Sequence, residues 1–172
     1  SEMCIRDSRD AALNFWNMLT QSHSYANGSS SGPRPNATTR TAVSAEHWGF
    51  PCHLCNTLSG EIAESCVSHN TQKLNSYLFS WTADPKYADA YMNLFYNAVL
   101  PVQSNQSGSF VYHLPLGSPR TKKYLKDNDF FCCSGSSAEA FAQLNNGIYY
   151  HDDSTLWVNM YIPSVVEWKE KK

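Results

Sequence analysis

Apolar residues recur at helical spacing in several stretches of this chain, and the pattern changes to alternation near its end. Ala12, Phe15, Trp16 and Leu19 mark the first stripe, which stops before Asn27-Gly28, a pair suited to a helix end and turn. Ile62, Cys66, Leu74, Tyr77, Leu78 and Trp81 mark a second, closed by Ala83-Asp84-Pro85. Tyr87, Tyr91, Leu94, Phe95, Ala98 and Val99 follow and end at Pro101, so the two stripes predict an antiparallel helical hairpin. Phe110 to Leu114 reads as a short extended segment before Pro115. Ser136-Ser137-Ala138-Glu139 has the form of a capping box and predicts a helix through Phe141 and Leu144, stopped by Gly147. After Tyr149 the period falls to two: Leu156, Val158, Met160 and Ile162 alternate with Trp157, Asn159 and Tyr161, which predicts a strand-rich region. The expected fold is mainly α, turning to β at the end.

Between these stripes, residues 28–45 are dominated by Ser, Gly, Pro, Asn and Thr and read as a long loop leading to Glu46. Residues 1–8 have no pattern that connects to the rest and are set apart as a non-native or artefactual segment. At 172 residues, with 42% hydrophobic and 16% charged positions, the chain is ordinary for one globular domain. A net charge of -2 with scattered cations gives no basic stripe, which argues against a nucleic-acid partner. No stretch approaches the ~18 apolar residues of a membrane span. An aromatic content of 13% suits sugar stacking and a helical core alike.

The candidate chemistry lies in the vicinal thiols Cys132-Cys133 and in Glu64-Ser65-Cys66. Three thiols and one carboxylate make a soft donor set that fits Zn2+, and a thiol that binds zinc is held as thiolate near neutral pH. Four anionic ligands around a divalent ion leave a net charge of about -2, so the sulfurs stay electron-rich. Residues two apart on a regular helix point about 200° from each other, so both elements are expected at loop-to-helix junctions. A helix N-terminus after Cys133 would also favour anionic sulfur there. Two plainer readings stand beside this one: a closed zinc site that only ties helices together, and a disulfide. Cys52-His53-Leu54-Cys55 is a competing redox or metal signal, without the strand-to-helix context such pairs usually have. Glu46 sits in Ala45-Glu46-His47-Trp48-Gly49, and cleaving a glycosidic bond needs a proton donor as well as a nucleophile.

Ordered motifs carry a resemblance. His23-Ser24-Tyr25-Ala26-Asn27-Gly28, Glu46-His47-Trp48-Gly49-Phe50-Pro51, Glu64-Ser65-Cys66, Tyr87-Ala88-Asp89, Tyr112-His113-Leu114-Pro115-Leu116 and Phe131-Cys132-Cys133-Ser134-Gly135 occur in sequence over residues 9–168. On these the chain resembles the zinc- and cysteine-dependent β-L-arabinofuranosidases of glycoside hydrolase family 127 and the related family 146. The resemblance implies Glu64, Cys66, Cys132 and Cys133 as zinc ligands, Cys132 as nucleophile and Glu46 as general acid/base. It implies Tyr112 as a substrate contact, with His47 and Trp48 lining the subsite. The implied reaction is retaining hydrolysis of β-L-arabinofuranose, or a related pentose, from an arabinose-containing plant glycan. The implied fold is part of an (α/α)6 barrel over residues 9–151, followed by the start of a β-sandwich over 152–172, so the chain resembles a fragment of a longer enzyme.

The chain departs from the family pattern in places. Gly28-Ser29 stands where Gly-Gly is common, an insertion surrounds Pro33-Arg34-Pro35, Met92 replaces a frequent acidic residue, and Cys52 and Cys55 fall outside the shared motifs. Two other functions stay open at this point: a non-catalytic zinc-stabilised carbohydrate-binding or scaffold fragment, and a thiol oxidoreductase built on Cys52 and Cys55. A plant-wall substrate favours a periplasmic or extracellular setting.

Overall fold

The computed structural model describes residues 2–32 and 46–169, with side chains from residue 6 onward. Most of the long loop expected at 28–45, including the Pro33-Arg34-Pro35 insertion, lies outside the described residues. Helix α1 spans Glu2–Ser22, so helical backbone covers nearly all of the segment set apart at 1–8. Its stripe narrows in the structure. Trp16 and Leu19 are buried, whereas Phe15 is exposed and lies against Trp48 with ring centroids 5.6 Å apart. Trp16 Nε1 donates to Asn75 Oδ1 at 2.6 Å, which fixes α1 to the next helix. A buried indole N–H needs such an acceptor.

Helix α2 (Ser65–Thr82) and helix α3 (Pro85–Leu94) form the expected hairpin. Ala83, in the left-handed region at φ 52°, ends α2 and donates its N–H to Phe79 O. Asp84 then accepts from the Lys86 N–H, and Pro85 occupies a first-turn position where its missing N–H costs nothing. Leu78, Phe79, Tyr87 and Trp16 close into one buried cluster. Tyr77 and Trp81, expected on the buried stripe, are instead exposed and stack on each other on the outer face of α2. Leu78 and Phe79 take the inward positions, and Tyr77 and Trp81, four residues apart, share the opposite face. The third stripe continues past Leu94 as a π turn, Phe95–Val99, and a short 3₁₀ turn, Leu100–Val102. Pro101 cannot extend an α-helical ladder, which accounts for the looser end.

A second cluster lies beneath the candidate ligands and joins Ile62, Ala63, Val111 and Leu114 to Tyr25, Leu94, Ala98 and Val102. Gly28 is required here: at φ +85° an added Cβ would lie 2.8 Å from Leu94 Cγ.

Helix α4 spans Cys132–Ala142, starting five residues earlier than the Ser136–Glu139 capping box predicts. The Phe131 N–H donates to Ser134 Oγ at 3.2 Å, and that bond caps the helix. Ser136 and Glu139 are engaged across the helix interface, with Cys66 and Lys73 respectively. The expected β region is a hairpin of β1 (Tyr149–His151) and β2 (Leu156–Val158), paired antiparallel with Tyr150 opposite Trp157. Asp152 tightens its turn by accepting from the Ser154 and Thr155 N–H groups at 2.7 Å. The alternation read through Ile162 does not form one strand. Val158 is exposed, and the chain leaves the ribbon there so that Met160 can pack with Tyr91, Phe95 and Ile148. Among the described residues no helix is long and apolar enough to cross a membrane.

Candidate active site

Four backbone segments meet at the start of α2. The Ala63 N–H donates to Ser31 O, and the Glu64 N–H donates to Ser31 Oγ, each at 2.8 Å. Gly32 and His47 exchange both of their backbone hydrogen bonds, bringing Glu46 beside the same strip. On the other side the Ser65 N–H donates to Tyr112 O at 3.1 Å and the Leu114 N–H to Ala63 O at 3.2 Å. Short extended pieces thus satisfy the backbone groups at the buried helix start, as such groups require. Glu46, Glu64 and Tyr112 are side by side as a result.

Helix α4 packs alongside α2, from Cys66–Cys133 to Lys73–Glu139, and supplies Cys132 and Cys133 in its first turn. Both thiol elements lie at loop-to-helix junctions, as the spacing required. Cys66 Sγ and Cys133 Sγ are 3.2 Å apart; Glu64 Oε1 is 3.2 Å from Cys133 Sγ and 3.8 Å from Cys132 Sγ. One ligand atom from each of the four residues falls within 4.8 Å of all the others, a grouping that could hold a metal ion. Cys133 is fully buried, Glu64 is 6% exposed, Cys66 is intermediate and Cys132 is exposed. The three thiols are free.

The chemistry of this donor set fits zinc. Burial pushes the Cys133 and Cys66 thiols up from their ordinary values, and the Glu64 carboxylate nearby acts in the same direction. Among the described residues no lysine or arginine pairs with Glu64, so this buried carboxylate has thiols beside it and no cationic side chain. A buried anion without a cation is costly, and a divalent ion is the partner that would offset four such ligands together.

A cleft of about 500 Å³ opens beside the cluster, lined by Ser31, Glu46, His47, Trp48, Glu64 and Val67. Trp48 is braced by His23, stacked on it at 4.5 Å, and its Nε1 donates to Ser30 Oγ. The Tyr112 hydroxyl is 3.2 Å from Glu46 Oε1 and 3.4 Å from Cys132 Sγ. Its pKa is raised, first by the hydrogen bond with Cys132 and then by burial, so Tyr112 stays a neutral phenol.

All eight residues assigned to the site from the sequence (Glu46, His47, Trp48, Glu64, Cys66, Tyr112, Cys132 and Cys133) therefore lie together at one cleft and its wall. The supporting residues were missed: Ser31 went unremarked, and His23, Ser65 and Ser136 stood within motifs that assign them no part in the site. Serines in a Ser-rich chain give no signal of their own. Cys52 and Cys55 are exposed and outside the cluster; Cys52 Sγ faces Gln21 O and Ser22, and Cys55 Sγ faces Asn56.

The fold is shared with larger proteins. A GH127 β-L-arabinofuranosidase from Geobacillus stearothermophilus T6 superposes with a TM-score of 0.73 at 20% identity, over 94% of this chain and 25% of that one. The GH127 β-arabinofuranosidase BT3674 superposes with a TM-score of 0.68 at 21% identity, over 85% and 21% of the two chains. A structure titled glycoside hydrolase gives 0.66 at 20% identity, over 85% and 26%. The chain spans about a quarter of the length of these structures. No curated protein matches it. Residues 5–146 match the β-L-arabinofuranosidase GH127 catalytic domain, and the chain belongs to that family.

Proposed function

We propose that this chain carries the catalytic centre of a retaining glycosidase that releases β-L-arabinofuranose, or a related pentose, from arabinose-containing plant glycans. One observation carries the reading: a single phenol oxygen, that of Tyr112, lies within hydrogen-bonding range of both Glu46 and Cys132. Those two contacts put the carboxylate oxygen and the sulfur no more than about 6.6 Å apart, the sum of the two distances. A proton donor and a nucleophile close enough to flank one anomeric carbon suit a double-displacement reaction.

Glu64, Cys66, Cys132 and Cys133 would hold Zn2+. Bound zinc supplies the positive charge that keeps Cys132 a thiolate at neutral pH. In the first step Glu46 gives its proton to the glycosidic oxygen while Cys132 Sγ attacks the anomeric carbon. The C–S bond forms as the C–O bond breaks, and the aglycone leaves as an alcohol. Glu46, now a carboxylate, takes a proton from water; the water oxygen bonds the same carbon, and Cys132 departs as thiolate. Tyr112 has one proton to donate. It serves the Glu46 carboxylate or the Cys132 sulfur, whichever carries charge at that stage. His47 and Trp48 line the sugar's cleft. We place the four helices in an (α/α)6 barrel over residues 9–151 that leads into a β-sandwich at 152–172.

The test is hydrolysis of an aryl β-L-arabinofuranoside by zinc-loaded wild type beside Cys132→Ser and Glu46→Gln. The reading expects activity in the wild type only, and product released first as the β-anomer. Equal hydrolysis by Cys132→Ser would overturn it.

A further inference from the structure

The three sulfurs of the cluster sit in unlike surroundings. Ser136 Oγ donates to Cys66 Sγ at 3.2 Å. Cys133 Sγ lies 3.2 Å from Glu64 Oε1, and nearby Ser137 Oγ donates to Ser65 Oγ at 3.3 Å within the buried interface. Cys132 has neither serine; its hydroxyl neighbour is Tyr112, on the cleft side. Helix geometry explains the sorting. Ser136 lies one turn beyond Cys132 and Cys133 on α4, so it faces α2 where Cys66 begins its own first turn.

A hydroxyl donated to a thiolate draws charge from the sulfur and fixes its rotamer, and such outer partners commonly set metal affinity. We infer that Ser136 is a positioning residue that fixes the Cys66 sulfur on the α2–α4 interface and holds it as a metal ligand. This rests on the reading of the cluster as a zinc site.

The experiment measures zinc affinity by competition with a chromophoric chelator, and the sulfur-to-metal absorption band of the cobalt(II)-substituted chain. Ser136→Ala should bind zinc about 10-fold more weakly and shift the cobalt band. Ser136→Thr keeps the hydroxyl and should retain both properties. Wild-type affinity and an unshifted band in Ser136→Ala would overturn the role. So would an equal loss in Ser136→Thr, since packing rather than the hydroxyl would then be responsible. A wild-type chain that takes up no zinc would overturn the zinc reading itself, and this inference with it.

Discussion

The Tyr112 hydroxyl lies 3.4 Å from Cys132 Sγ, held there by a backbone bond that ties its segment to the start of α2. Tyr112→Phe deletes that hydroxyl and keeps the ring against His113 and Phe131. A hydrogen bond to a charged group contributes about 1.5–3 kcal/mol, so turnover of an aryl arabinofuranoside should fall ~10- to 100-fold. Steady-state kinetics check this, and an unchanged kcat/KM would remove Tyr112 from the reaction.

Glu64→Gln keeps the size of the buried side chain and removes its charge. Zinc affinity should drop at least ~10-fold while far-UV circular dichroism stays as in the wild type. Elemental analysis after dialysis against a weak chelator reads the result. Zinc retained at wild-type level would exclude the carboxylate as a ligand.

Leu78 is fully buried between α1, α3 and the Phe79 ring, and Leu78→Ala should cost about 2–5 kcal/mol in urea unfolding. Tyr77, its neighbour in sequence, is 59% exposed, and Tyr77→Ala should change stability by no more than about 0.5 kcal/mol. A reversed order of effects would contradict the burial seen on α2.

Stability should fall on acidification through histidine burial. Burial lowers the pKa of His23 and of His69 below the ordinary 6.5, with Lys73 adding to the shift at His69 and Glu139 opposing it. The folded state therefore holds both rings neutral where the unfolded chain already binds protons. That contribution is fully present above pH 6.5 and is lost as pH falls from there toward the lowered folded values. The thermal midpoint of the zinc-free chain should be lower at about pH 5.5 than at about pH 7.5, and His23→Gln should reduce the difference. An identical slope in His23→Gln would show that His23 plays no part in it.

The candidate site was more legible in the sequence than the fold around it. Cysteines and acids are scarce and chemically distinct, so Glu64, Cys66, Cys132 and Cys133 stood out, and their two-apart and adjacent spacing forced the junctions that the structure shows. Helix existence was legible from period, as in the α2–α3 hairpin. Boundaries were not: the Phe131–Ser134 cap and the Ser136–Glu139 signal compete within a few residues, and only packing against α2 shows which is used. The exposure of Tyr77 and Trp81 was hidden for a related reason. A 3.6-residue stripe gives a face, but its width depends on what packs there. The Tyr112 bridge joins residues 66 and 20 positions from it in sequence, which no local pattern encodes.

The most direct test of the central claim is peptide mapping by mass spectrometry of zinc-loaded Glu46→Gln after exposure to an activated aryl β-L-arabinofuranoside. With its acid/base removed and a good leaving group supplied, the chain should accumulate one pentosyl group, localised to Cys132. A sugar found on another residue, or none on Cys132 while zinc is bound, would contradict the assignment of that sulfur as the nucleophile.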